Sequence, residues 1–165
     1  MTSELPPATV RPATAADAGA IGELLHRFNS EFSSSTPGAA VLAERLREVL
    51  DHDTTALQGH GTVALLVGAE PEGFAIVRLR PSLYSSALEA YLAELYVVPE
   101  HRGRGLGRAL LRASLELARK LGADRIELGT SEDDLSARAL YESHGFINRE
   151  YGPSGPIMYV YEREL

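Results

Sequence analysis

The eleven residues from His101 to Leu111, HRGRGLGRALL, constrain this chain more than any other segment. A β-rich apolar run, AYLAELYVV (Ala90 to Val98), leads into them, and Pro99 ends that run. An amphipathic pattern leaves them, from about Gly107 to Leu121, with Leu110, Leu111, Leu115, Ala118 and Leu121 at helical spacing. The segment is therefore a strand-to-helix turn. Gly103, Gly105 and Gly107 alternate in it, which lets the backbone take positive φ and come close to a ligand. The first turn of the helix offers N–H groups without partners and the positive end of a dipole, a natural anion site. Arg102 and Arg104 add cationic donors suited to phosphate oxygens. Together these groups suit a pyrophosphate.

Spacing narrows the choice of ligand. A dinucleotide fingerprint requires G-x-G-x-x-G, but counting from Gly103 brings Arg108 to the third position, and counting from Gly105 brings Leu110. A G-x-x-x-x-G-K-[ST] loop for nucleoside triphosphates is absent.

The rest of the 165 residues read as elements alternating in type. Ala8 to Arg11 suits a first strand. Thr14 is an N-cap with Asp17 three residues on, and Ile21, Leu24, Leu25 and Phe28 make one apolar helix face. SSSTPG (Ser33 to Gly38) breaks that helix, and a second runs from about Ala39 to Leu50 with Leu42, Leu46, Val49 and Leu50 turned inward. Two strand-like runs, Thr62 to Val67 and Phe74 to Leu79, flank the hairpin turn GAEPEG. After the glycine turn and its helix, RIELGT (Arg125 to Thr130) reads as a strand, Asp134 to His144 as a helix, and YGPSGP (Tyr151 to Pro156) as the turn of a closing hairpin. The expectation is a single domain, 1–165, of mixed α/β class, with a mixed but mostly antiparallel sheet and about four helices.

Composition removes several functions. With no cysteine there is no disulfide, thiol nucleophile or thiolate metal site, and a reducing cytoplasm is the expected compartment. A net charge of −7 argues against a nucleic-acid partner held through phosphates and leans toward a cationic one. No apolar run approaches the ~20 residues of a membrane span, and MTSELPPATVRP does not read as a secretory leader, so no membrane partner is expected. The histidines form no His-x-x-x-His pair, and Asp51-His52-Asp53 reads as a solvated turn, so no metal is expected. No G-x-S-x-G elbow marks a serine hydrolase.

LYVVPEHRGRGLGRALL resembles the signature of the GNAT superfamily of acyl-CoA-dependent N-acyltransferases, Gln/Arg-x-x-Gly-x-Gly/Ala, through Arg102, Gly105 and Gly107. A second family stretch, Asn-x-x-Ala-x-x-Leu-Tyr-x-x-x-Gly-Phe, is met by DLSARALYESHGF at Ala137, Leu140, Tyr141, Gly145 and Phe146, with Asp134 where the family has Asn. The resemblance is good from about Leu79 onward; before that only the order of elements agrees. It implies a sheet splayed open between the strand ending at Val98 and the strand at Arg125, with acetyl-CoA in the cleft. Backbone groups of Leu95, Tyr96, Val97 and Val98 would pair with the pantetheine arm as an added strand would. Arg102, Gly103, Arg104, Gly105, Leu106, Gly107 and Arg108 would hold the pyrophosphate, with Asp134, Ala137 and Tyr141 also on the cofactor side. Homodimers are common in the family.

Acyl transfer to an amine needs a neutral nucleophile, support for the oxyanion and a proton for the departing sulfur. An alkylamine titrates near pH ~10.4, so a base must take its proton. Glu94, on the cleft strand, is the candidate base, with Glu89 and Tyr91 behind it. Tyr141, at the family's tyrosine position, is the candidate acid, and a main-chain N–H near Val97 the oxyanion donor. No role falls to His144. The resulting expectation is direct acetyl transfer, through a ternary complex, to a primary amine of a small molecule or peptide, the charge leaning toward a cationic one. The alternative is a non-catalytic acyl-CoA-binding or regulatory module on the same fold, which could lose Tyr141 without losing binding.

Overall fold

In the computed structural model the described residues are 8–50 and 61–165; Asp51-His52-Asp53 lies outside them. The chain divides into two compact units, Met1–Glu127 and Leu128–Leu165.

The first unit is built on five strands in chain order: β1 (Val10–Pro12), β2 (Gly61–Val67), β3 (Gly73–Pro81), β4 (Leu88–Val97) and β5 (Ala123–Glu127). The first three pairings are antiparallel and the last, β4 with β5, is parallel. Every residue of 63–67 in β2 is buried, as a strand covered on both faces requires. α1 (Ala18–Glu31) and α2 (Ala39–Leu50) cover one face, and α3 (Leu106–Lys120) packs against strands of the sheet, burying Leu110 and Leu111 completely.

The α1 and α2 face carries the main core: Ile21, Leu24, Leu25, Leu46 and Leu50 pack with Phe74, Ile76 and Tyr96 of the sheet. Burying each large apolar side chain contributes ~1.5–3 kcal/mol. Val49, expected inward, is 38% exposed, and Ala43 is buried instead. The cause is the close crossing of the two helices. A Cβ at Gly22 would lie 2.7 Å from the Ala39 carbonyl oxygen and 2.9 Å from the Ala43 Cβ, so only small residues fit there. The expected start of α1 is present in outline: the Asp17 carboxylate accepts the Thr14 N–H at 2.8 Å and also takes both Arg11 guanidinium nitrogens, at 2.7 and 2.9 Å.

β5 starts two residues earlier than the sequence pattern suggests and ends at Glu127, because its ladder with β4 runs only from Leu88 to Tyr91. In the second unit, α4 spans Leu135–Glu142, shorter at both ends than expected. The closing hairpin is a single bridge, Arg149 with Ile157, flanked by Glu150 N–H to Pro156 O at 3.0 Å and Met158 N–H to Asn148 O at 2.8 Å.

Candidate active site

β4 organises the candidate site through one irregularity. Its register with β3 slips between Ile76 and Val77, so that Ile76 faces Glu94 while Val77 faces Leu92, and Ala93 is the extra residue. A regular strand alternates sides, so without the bulge Glu94 would share the face of α3. The extra residue returns it to the face of α1 and α2, alongside Ile76, and two residues along β3 from Ile76 stands Arg78.

There Glu94 lines a cavity of about 440 Å³. Leu25, Leu42, Leu46, Val49 and Ile76 supply its apolar wall, and Asn29, Arg45, Thr62, Arg78 and Glu94 its polar groups. The volume lies within the range of small-molecule sites. Burial pushes the Glu94 carboxyl above its ordinary value, and the Arg78 cation pulls part of the way back. Glu94 and Arg78 do not form an ion pair, and Arg45 has no ion-pair partner among the described residues. Glu89, by contrast, is tied down by Arg80 at 2.9 Å and the Ser82 hydroxyl at 3.2 Å, and Tyr91 is 41% exposed.

Past Tyr91 the parallel ladder stops, and β4 continues from 92 to 97 without a strand partner on that edge among the described residues. The sheet therefore opens at the position expected for Leu95, Tyr96, Val97 and Val98. At the end of that open edge comes the glycine turn. Gly103 (φ 77°) and Gly105 (φ 81°) both take left-handed backbone, and nothing lies within 4 Å of a Cβ placed on either. The glycines are needed for conformation, not for room. Gly105 is the N-cap of α3 and brings no side chain to cap it; the first helical bond is Ala109 N–H to Gly105 O at 3.0 Å. The N–H groups of Leu106, Gly107 and Arg108 precede that bond, which is the donor set an anion requires. Arg104 and Arg108 are exposed beside them.

Arg102 faces the other way. Its guanidinium grips both oxygens of Glu31 at 2.7 and 2.8 Å, and its Nε–H donates to the Val97 carbonyl at 2.9 Å. It also lies 5.5 Å from the centre of the Tyr96 ring, whose hydroxyl donates to Glu31 at 3.1 Å. These bonds hold the Glu31 carboxyl below its ordinary range. Arg102 thereby fastens the end of β4 to α1.

In the second unit, Asp134 caps α4 by accepting the Ala137 N–H at 2.9 Å, so an aspartate does at this position the capping expected of a short polar residue. Tyr141 packs edge-on to Phe146 at 5.9 Å, and Gly145 (φ 86°) lets the Phe146 N–H return to the Tyr141 carbonyl at 3.2 Å. Burial, with the charge of Asp134, pushes the Tyr141 hydroxyl up to about 12. No cluster of three or more metal-binding side chains occurs among the described residues, and none of their helices is long and apolar enough to cross a membrane.

Three residues important to this geometry escaped the sequence reading: Glu31, Arg45 and Arg78. Arg78 had a faint signal, since it alternates with Val77 and Leu79 in a strand and so marks a polar opening on one face.

Comparison with known proteins bears on the family and the fold. The family model described as the acetyltransferase (GNAT) family matches residues 23–146. The chain belongs to the GNAT acetyltransferase family. The crystal structure of a candidate acetyltransferase from Arthrobacter sp. FB24 superposes with a TM-score of 0.83 at 39% identity, covering 100% of this chain and 99% of that one. An aminoglycoside N(6')-acetyltransferase type 1 from Stenotrophomonas maltophilia is 32% identical, over 86% of this chain and 88% of that protein. A mycothiol acetyltransferase from Beutenbergia cavernae is 40% identical over 45% of this chain, but the match spans only 27% of that longer protein.

Proposed function

We propose that residues 1–165 act as one N-acetyltransferase domain, working in the cytoplasm, that moves the acetyl group of acetyl-CoA to a primary amine of a small molecule or peptide. The observation that carries the proposal is the two-sidedness of β4. It presents Glu94 to a 440 Å³ cavity on its α1 and α2 face, while its edge at 92–97 lacks a strand partner among the described residues and ends in the glycine turn.

The residues present suit the co-substrate. The open edge offers backbone groups to an extended amide-bearing arm. The N–H groups of Leu106, Gly107 and Arg108 suit its pyrophosphate, with Arg104 and Arg108 adding charge. Arg102 contributes by fixing the turn through Glu31 and Val97. Bound there, acetyl-CoA supplies an activated thioester carbonyl.

The chain's own groups handle the protons. Glu94, in the cavity, takes a proton from the incoming ammonium, and the freed amine nitrogen attacks the carbonyl carbon. The N–C bond forms, the C–S bond breaks, the sulfur leaves with a proton donated by Tyr141, and the second proton that the nitrogen sheds on becoming an amide restores the tyrosine hydroxyl. The Tyr141 hydroxyl is protonated at physiological pH; burial raises it to about 12 and so makes it a weaker acid, which gives up its proton only as charge develops on the departing sulfur.

The test is to incubate the protein with acetyl-CoA and a panel of primary amines. Free thiol and an N-acetylated product should appear in equal amounts. Tight acetyl-CoA binding without product from any amine would favour a non-catalytic binding module instead.

A further inference from the structure

The net charge of −7 leans toward a cationic acceptor, but the charge of the cavity itself runs the other way. Among the described residues its polar lining contains two guanidinium groups, Arg45 from α2 and Arg78 from β3, against the single carboxylate of Glu94. Both arginines are exposed, as groups at the rim would be, whereas Glu94 is half-buried. Neither arginine is in an ion pair among the described residues, although the chain pairs its arginines elsewhere, Arg102 with Glu31 and Arg27 with Glu100 among them. A polycation entering this cavity would meet more positive than negative charge from the described residues.

Resting on the transferase reading above, we propose that the acceptor is a small amine carrying its own carboxylate and an apolar body, such as an α-amino acid or short peptide. Its ammonium faces Glu94, its carboxylate is held by Arg78 with Arg45 beside it, and its apolar part lies on Leu42, Leu46 and Ile76.

The spacing suits such a molecule. Ile76 opposes Glu94 and Arg78 is two residues further along the same face, so Glu94 and Arg78 are diagonal neighbours across the bulge. Long side chains can reach one another across such a diagonal, yet the charged ends of Glu94 and Arg78 do not form an ion pair, which leaves each to meet one end of an acceptor. A guanidinium also recognises a carboxylate in two-pronged fashion, which an ammonium acceptor could not exploit. In the transfer itself the ammonium gives one proton to Glu94, the freed nitrogen gains the acetyl group and sheds a second proton that replaces the one given to the departing sulfur, and the acceptor's carboxylate is unchanged.

The experiment compares kcat/KM for leucine, leucylglycine, leucinamide, 3-methylbutylamine and spermidine, with acetyl-CoA saturating. Leucine or leucylglycine should exceed leucinamide and 3-methylbutylamine by roughly 10- to 100-fold, mainly through KM, the range for a hydrogen bond to a charged group. Leucinamide's amine is the less basic, so reactivity alone would rank it first. Arg78→Gln should shrink the preference to within about 2-fold, and Arg78→Lys should restore part of it. A merely structural arginine would lower all rates together and leave the ratio unchanged. Equal or better rates with the carboxylate-free amines, or spermidine as the best acceptor, would overturn the inference while leaving acetyl transfer standing. Failure of every amine, with acetyl-CoA still raising the melting temperature, would overturn it too. Failure of acetyl-CoA to bind would remove the reading on which it rests.

Discussion

Glu94 and Tyr141 are both moved from their ordinary titration ranges by burial, and each shift has a measurable sign. For Glu94 the folded carboxyl lies above its unfolded value, so its negative form costs stability at neutral pH. As a base it must be unprotonated, so kcat/KM should fall as pH drops through that raised value, above the usual ~4.3. Glu94→Gln should abolish this limb and slow turnover by ~10²–10⁴-fold, while melting no lower than the parent protein. An unchanged pH–rate profile would pass the role to water. Tyr141→Phe should lower kcat by ~10²-fold or more with the KM for acetyl-CoA nearly unmoved. Full activity would remove Tyr141 as the acid. The residue pattern ranks Glu94 above Glu89 only by its place just before LYVV. The structure adds a physical difference, with Glu89 bonded to Arg80 and Ser82 and Glu94 in the cavity.

At the scale of elements, the turn after β4 depends on Gly105 for its shape. Gly105→Ala would force a side chain into left-handed backbone and should cost ~1–2 kcal/mol of stability while weakening acetyl-CoA binding. The Arg102 and Glu31 contact joins this turn to α1, so a double-mutant cycle between alanine variants should show coupling of ~0.5 kcal/mol or more. Additive effects would mean that the contact does not hold the turn. Much of this layer was legible beforehand. The helix of 39–50, the hairpin between β2 and β3, and the strand, turn and helix of 88–120 follow from apolar periodicity and from where glycine and proline sit. The bulge at Ala93 was not legible, because AYLAELYVV carries neither glycine nor proline to mark an extra residue. It arises from pairing with β3, a long-range condition that no local pattern records. Gly22 and Ala43 hid in the same way, since a close helix crossing depends on where two distant faces meet.

For the molecule as a whole, acid sensitivity should trace to few groups. Asp17 and Glu31 both titrate below their ordinary values because of Arg11 and Arg102. Their stabilisation is present above the unfolded carboxylate range, near pH ~4, and is lost as pH falls through the depressed folded values. Glu31→Gln should flatten that part of the stability curve by ~0.2–1 kcal/mol, the size of a partly exposed pair. The central claim is that the open edge of β4 and the glycine turn together bind acetyl-CoA, and the melting temperature with saturating acetyl-CoA, beside ATP and NAD controls, tests it most directly. At a hundred times its dissociation constant a ligand adds ~2.7 kcal/mol to folding, which predicts a rise of a few degrees with acetyl-CoA alone. No rise, or a rise with ATP or NAD in its place, would contradict the account.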